Sequence, residues 1–307
     1  MSKIRIAVDA GHGSNTPGKR TPPLPQAVDF NDDGITDVPK GDRIREHIAN
    51  MNVALFLTEE LIRCGFSVIV TGFDDNNGYD DEDTSLTNRQ QLIKKGECDY
   101  SISIHFNAYG DGESFNSAQG VGVYIHNTYP KDSKALAAKV LSYLIGGTSQ
   151  TNRGISSAGL AMCNCNAMNT KASILIECAF MTNLNEAISM VGNEDYWEET
   201  AVEIAKGICD YNGVVYVEKE AAVAAKEGNE VLYKVQVGAF RSKANADSMV
   251  NRVKNAGFSD AFTSITTVDG RPLYRVQIGA YSVKTNADRM LSRVKTTGFA
   301  DAFIQKY

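Results

Sequence analysis

The sequence predicts an α/β domain, built on a mixed and largely parallel sheet flanked by helices, followed by a smaller α+β domain. Three observations carry this. Two β-rich apolar runs, Ile4 to Val8 and Ser101 to Ile104, have the unbroken hydrophobic character of strands buried on both faces. Between them, Val53, Leu57 and Leu61 share one face of a helical pattern. At the other end the chain repeats itself: Lys234 to Ser264 and Arg275 to Gln305 agree at more than half their positions with a constant offset of 41.

Size and composition bound the rest. A chain of 307 residues, 43% hydrophobic, has enough apolar material for two domains, and 22% charged residues exclude wholesale disorder. Six cysteines in a chain this long read as reduced thiols rather than a disulfide framework, and Cys163-Asn164-Cys165 has no second pair at zinc-site spacing. The opening Met-Ser-Lys-Ile-Arg enters a strand at once, without an apolar h-region, and no later segment is long enough to cross a bilayer. Synthesis in the cytoplasm without a signal peptide, and action elsewhere after release, is the expectation. The net charge of −6 hides an asymmetry: from Glu230 to Tyr307 twelve Lys or Arg stand against six Asp or Glu. That basic module favours a polyanionic surface.

In chain order, the first strand ends in Asp9-Ala10-Gly11-His12-Gly13. Residues 21–42 follow as an insertion containing Asp29-Phe30-Asn31-Asp32-Asp33-Gly34-Ile35-Thr36-Asp37. Its spacing resembles a calcium-binding loop with Asp29, Asn31, Asp33 and Asp37 as oxygen ligands, although Lys40 stands where a bidentate glutamate is usual. The helix then opens at Glu46, where its N-terminus favours a negative charge. The strand from Ser101 ends at His105, and Ala172 to Ile176 forms another that ends at Glu177. Residues 1–213 are thus one domain, 214–230, rich in Glu, Lys and Ala, a linker, and 231–307 a second domain. In that last part each repeat unit reads strand, helix and short strand, which gives a four-stranded sheet with two helices on one face, the split-βαβ ferredoxin-like arrangement.

The strand ends hold the chemistry. Parallel sheets present functional groups where strands end, so His12 and His105 are candidate metal ligands. Two imidazoles and one carboxylate bind zinc well and leave a position for water. Glu46 is the carboxylate chosen by pattern. His47, about 100° around the helix, is the rival, and normally only one of the two faces the metal. Glu177 at the same edge is suited to take a proton from water and pass it to a leaving amine.

Read together, Asp9-Ala10-Gly11-His12-Gly13, Glu46 four residues before Asn50, Ser85-Leu86-Thr87-Asn88-Arg89, Ser103 to Ala108 and Ile176 to Asn183 are similar to a zinc-dependent N-acetylmuramoyl-L-alanine amidase of the amidase-3 type. The resemblance covers roughly Lys3 to Tyr211. It implies one zinc ion held by His12, Glu46 and His105, Glu177 as catalytic glutamate, and Arg89 as a residue that ties its helix to the site. The implied reaction is hydrolysis of the amide between N-acetylmuramic acid and L-alanine. Val235-Gln236-Val237-Gly238-Ala239-Phe240 with its Asn-Ala-Asp helix, repeated, resembles a SPOR domain over Leu232 to Tyr307. That implies binding of peptidoglycan glycan strands on the open face of the sheet, through Gln236 and Gln277 with Tyr233, Tyr274 and Arg275 at the rim. Period-two alternation agrees, since it puts Val235 and Val237 on the helix side and Gln236 on the open side. The combined expectation is a wall-degrading autolysin or phage endolysin, in sporulation, cell separation or lysis. The alternative is a noncatalytic peptidoglycan-binding or cell-division protein. No nucleic-acid partner is expected, because the tail strands lack aromatic stacking pairs.

Overall fold

A computed structural model of the chain describes residues 3–32, 34, 36–74, 77–148, 150–219, 233–256, 258, 261–268, 270–281, 287, 290–291, 294–295 and 297–306. Two compact units divide it, one formed by residues 1–31 and 36–219 and the other including 220–307.

The first unit is built on six strands: β1 (Arg5–Ala10), β2 (Ser67–Thr71), β3 (Tyr100–Asn107), β4 (Val121–His126), β5 (Asn152–Ala158) and β6 (Ala172–Phe180). They lie in the order β2-β1-β3-β6-β4-β5. All neighbours are parallel except β4 and β6, so the sheet is mixed and largely parallel. Its centre is buried on both sides: in β1 Ile6, Ala7, Val8 and Ala10 are all fully enclosed, as are Ile102 and Ile104 in β3. Helices α1 (Glu46–Arg63), α2 (Leu86–Lys95), α3 (Lys131–Thr148) and α4 (Glu194–Asn212) flank it. The helix ends follow capping rules. Ser85 accepts from the Asn88 N–H to start α2, Asn193 accepts from Tyr196 to start α4, and Gly213 closes α4 in the left-handed region. Among the described residues no helix is long and apolar enough to cross a membrane.

Beyond α4 the chain stays on this unit further than the expected boundary at 213. Val214, Tyr216 and Val217 pack against its core. The Tyr216 hydroxyl donates to Glu60, and Arg63 Nε donates to the Val217 carbonyl oxygen at 2.8 Å. Composition alone missed these anchors because they lie before the Glu, Lys and Ala run. The rest of the expected linker, 220–230, lies outside the described residues.

The second unit carries β7 (Tyr233–Phe240), α5 (Lys243–Asn255), β8 (Phe262–Val268), β9 (Arg271–Tyr281) and β10 (Phe303–Lys306), an antiparallel sheet in the order β10-β7-β9-β8. The repeat shows directly in its core. Val235 and Val276, Ala246 and Ala287, Val253 and Val294, Phe258 and Phe299, and Ala261 and Ala302 are all buried, each pair 41 residues apart. The helix expected in the second repeat lies mostly outside the described residues.

The open face differs from its expected form. Cross-strand register places Phe303, Gln236, Gln277 and Phe262 in one row. Its middle is closed: Gln236 is 5% exposed and Gln277 fully buried, with Gln277 Oε1 accepting from Ser264 Oγ at 2.9 Å. Phe262 and Phe303 at its ends are 37% and 48% exposed. Gln236 and Gln277 are therefore not the open contact residues that alternation suggested. Period two gives the side of a sheet but not whether longer neighbours in the same row cover a central residue. Tyr233 and Tyr274 also depart from the expected rim, since both pack against the apolar cluster under the helix, and Arg275 is half-buried.

Candidate metal centre

Three strands and one helix bring the site together. Parallel register sets Ala10 beside Ile104 and His105 beside Glu177, so Gly11 and His12 leave β1 level with both. Neighbouring residues on parallel strands project to the same face, which puts the His105 and Glu177 side chains together. Helix α1 begins over this edge, with the Glu46 N–H donating to the Lys19 carbonyl oxygen at 2.9 Å.

The carboxylate of Glu46 lies between the two imidazoles. Its Oε2 is 3.3 Å from His12 Nε2 and its Oε1 is 3.1 Å from His105 Nδ1. One donor atom from each residue falls within 4.8 Å of the others. Two imidazole nitrogens and a carboxylate converging in this way are a donor set that fits a divalent metal. Among the described residues this is the one group of three or more such donors. Burial acts against the charge on Glu46, but the hydrogen bond from His105 and the charges around it outweigh that and hold its carboxyl below the usual range. His105 is correspondingly raised: burial opposes its charge and the bond to Glu46 overcomes it. Burial pushes His12 down to about 4, helped by His105 and Lys19, which keeps it a neutral lone-pair donor.

His47 is turned away, as the helix geometry requires. Its Nδ1 lies 3.0 Å from the Gly11 carbonyl oxygen and its Nε2 3.0 Å from Asp81 Oδ2. Asn50, one turn beyond Glu46, donates to Glu46 Oε1 at 3.3 Å and to the same Gly11 oxygen at 3.0 Å. Only its i,i+4 spacing from Glu46 could have pointed to it.

Glu177 stands beside the cluster, within range of the Glu46 charge. Its Oε2 is enclosed and, among the described residues, has no hydrogen-bond partner. Burial lifts its carboxyl to about 7, with the nearby Glu46 charge adding and His105 and Lys19 opposing. A group poised there can hold a proton or give it up near neutral pH.

Underneath, Arg89 and Asp9 fix the loop that presents His12. Asp9 is buried and accepts from Thr71 Oγ1 at 2.8 Å, Ser103 Oγ at 2.6 Å and Arg89 Nη1 at 3.0 Å. Gly11 is required by space: a Cβ there would fall 2.2 Å from the His105 ring. A cavity of about 360 Å3 opens beside His12 and His105, with Asp83, Leu86 and Met162 in its wall.

The calcium-type loop holds together differently. Asp37 Oδ2 accepts from the Phe30 N–H at 2.7 Å and Asp29 Oδ1 from the Asn31 N–H at 3.3 Å, while Val28 and Val38 form a bridge. These bonds make a turn. Asp33 lies outside the described residues, and Asp29, Asn31 and Asp37 form no metal-type cluster among those described.

Comparison with known proteins agrees with this geometry. Residues 6–210 match the N-acetylmuramoyl-L-alanine amidase family, and residues 229–306 match the SPOR domain. A sporulation-specific N-acetylmuramoyl-L-alanine amidase of Bacillus subtilis is 27% identical over 257 residues, 83% of this chain and 82% of that protein. The N-acetylmuramoyl-L-alanine amidase CwlM of Bacillus licheniformis is 32% identical over 256 residues, 83% of each. The crystal structure of an N-acetylmuramoyl-L-alanine amidase from Clostridium difficile superposes with a TM-score of 0.53 at 26% identity, covering 69% of this chain and 98% of that one.

Proposed function

This chain belongs to the N-acetylmuramoyl-L-alanine amidase family, and from that premise we propose that a zinc ion held by His12, Glu46 and His105 serves its reaction, with Glu177 as the proton carrier. The chain is a peptidoglycan amidase, hydrolysing the bond between N-acetylmuramic acid and L-alanine, and its SPOR domain binds peptidoglycan. The observation that carries the assignment of residues is the pairing of His105 with Glu177 across β3 and β6, directly beside the converged donors.

When bound, the ion supplies Lewis acidity at the scissile carbonyl. The chain's own groups do the rest. With a carboxyl near 7, Glu177 accepts a proton from the attacking water at Oε2 and returns it to the departing L-alanine nitrogen. Glu46 spans both imidazoles and sets their orientation, while Asn50 and the Phe106 N–H at 3.2 Å hold Glu46. Retention of all four groups in one place argues against a noncatalytic wall-binding role. Action at the bacterial cell wall after release, as an autolysin or an endolysin, accords with both domains.

Metal analysis of the purified chain tests the donor set. One zinc per chain is expected, and His105→Ala should lose it. Stoichiometric zinc in that variant would overturn the assignment.

A further inference from the structure

A second cavity, of about 440 Å3, lies at the N-terminus of α1. Its floor is apolar, with Val38, Ile44 and Ile48 nearly buried, and Arg20 and Arg45 stand in its wall. The backbone explains the placement of the cations. Arg20 and Arg45 pair in an isolated antiparallel bridge, and Lys19 is bonded through its carbonyl to Glu46. Paired residues project to one side and their chain neighbours to the other. Arg20 and Arg45 thus face the cavity, while Lys19 sits toward the donor cluster, where its charge acts on His12, Glu46 and Glu177.

Neither Arg20 nor Arg45 has a side-chain hydrogen bond or ion pair among the described residues. The third arginine at the cavity, Arg43, is engaged by Glu113 and the Thr21 carbonyl oxygen. Of the two acids there, Asp37 accepts from the Phe30 N–H and Asp42 is exposed. Two guanidinium groups without a carboxylate partner, beside an apolar floor, suit a carboxylate with aliphatic carbons next to it.

The substrate has such a group on one side of the scissile bond only. The lactyl carboxyl of the sugar is consumed in the amide, so the glycan side is uncharged, whereas the stem peptide is acidic. The cavity beside His12 and His105 has Asp83 and Leu86 in its wall, and its one arginine, Arg89, is bonded to Asp9 and Asp83. Charge separates the two directions. At about 3.5 Å per residue, the second stem residue lies roughly 7 Å from the scissile amide, and Arg45 and Arg20 are the chain neighbours of Glu46 and Lys19.

We propose that this cavity receives the acidic second residue of the stem peptide, with its free α-carboxylate held between Arg20 and Arg45. The inference rests on the amidase reading. It makes the 21–42 insertion, which supplies Val38 to the floor, part of substrate selection.

The test compares two soluble muramyl peptides that differ only at the second residue, one with D-isoglutamate and the other with its carboxamide, D-isoglutamine. The zinc-loaded full chain should favour the acid by tenfold or more in kcat/KM, mainly through KM. Arg20→Gln with Arg45→Gln should bring the ratio close to one by slowing the acid substrate alone, and Arg20→Lys with Arg45→Lys should restore part of the preference. Equal rates on both substrates by the unaltered chain, or a ratio unmoved by the glutamine pair, would overturn the subsite while leaving the amidase reading intact. Failure of the unaltered chain to cleave either substrate or purified wall would overturn both.

Discussion

Arg89 Nη2 lies 2.5 Å from the carbonyl oxygen of His12, and His12 has a left-handed backbone, with φ of 63°. A non-glycine residue in that region is strained and is retained only when its surroundings hold it. Arg89 holds it from several sides, through Asp9, Asp83 and the Thr84 carbonyl oxygen as well. It is a positioning residue. Arg89→Lys keeps a charge but loses the planar fork, so zinc affinity should fall by about 10–100-fold. Arg89→Ala leaves Asp9 buried and unpaired and should cost about 3–5 kcal/mol of stability. Metal titration and denaturant unfolding measure the two effects; unchanged affinity in Arg89→Lys would contradict the role.

Gly11→Ala gives a sharper geometric test. The added methyl meets Cε1, Nε2 and Nδ1 of His105 at 2.2 to 2.5 Å, so the ring must swing out of the donor cluster. Zinc content should fall although no ligand has been removed. Full occupancy and unchanged turnover would show that His105 does not sit where it is described.

Glu177→Gln separates binding from chemistry. The amide keeps the shape of the side chain but cannot accept a proton at neutral pH. Zinc should remain stoichiometric while kcat drops by about 10²–10⁴-fold. Activity within a few fold of the unaltered chain would exclude Glu177 as the proton carrier.

The same residue gives the metal-free chain a pH signature. A carboxyl raised from 4.5 to about 7 in the folded state contributes stability that is fully present below the unfolded value and is lost as pH rises through about 7. The loss amounts to roughly 3 kcal/mol between these limits. Unfolding of the metal-free chain and of Glu177→Gln, followed from pH 4 to 8, should diverge over that window, with the variant the more stable at the upper end. Parallel curves would mean that Glu177 is not buried in this way.

The positions of His12, Glu46, His105 and Glu177 were legible because His12 follows β1, Glu46 begins α1, and a parallel sheet gathers its strand ends along one edge; β3 and β6 run on past His105 and Glu177 to Asn107 and Phe180, further than the apolar runs alone suggested. The 100° step between adjacent helix positions said that Glu46 and His47 do not both face the metal; the choice of Glu46 came from the motif it shares with Asn50. Asp9 and Gly11 stood inside the recognised motif, yet their work depends on contacts with Arg89 and His105, 80 and 94 residues away in sequence. No local pattern records such contacts. The open face of the SPOR sheet failed for a related reason. Alternation assigned Gln236 to the correct side, but the Phe303 and Phe262 that flank its row come from strands whose register only the fold sets. Arg20 and Arg45 were silent for the same cause, being brought together by one bridge across the insertion.

Mass spectrometry of purified cell wall digested by the full chain, with and without a chelator, reads the bond that is cut. Stem peptides released with a free L-alanine amino terminus, in quantities abolished by the chelator and restored by zinc, are the expected result. Intact muramoyl–alanine linkages after digestion, or the same fragments in the continued presence of chelator, would contradict a metal-assisted amidase at His12, Glu46 and His105.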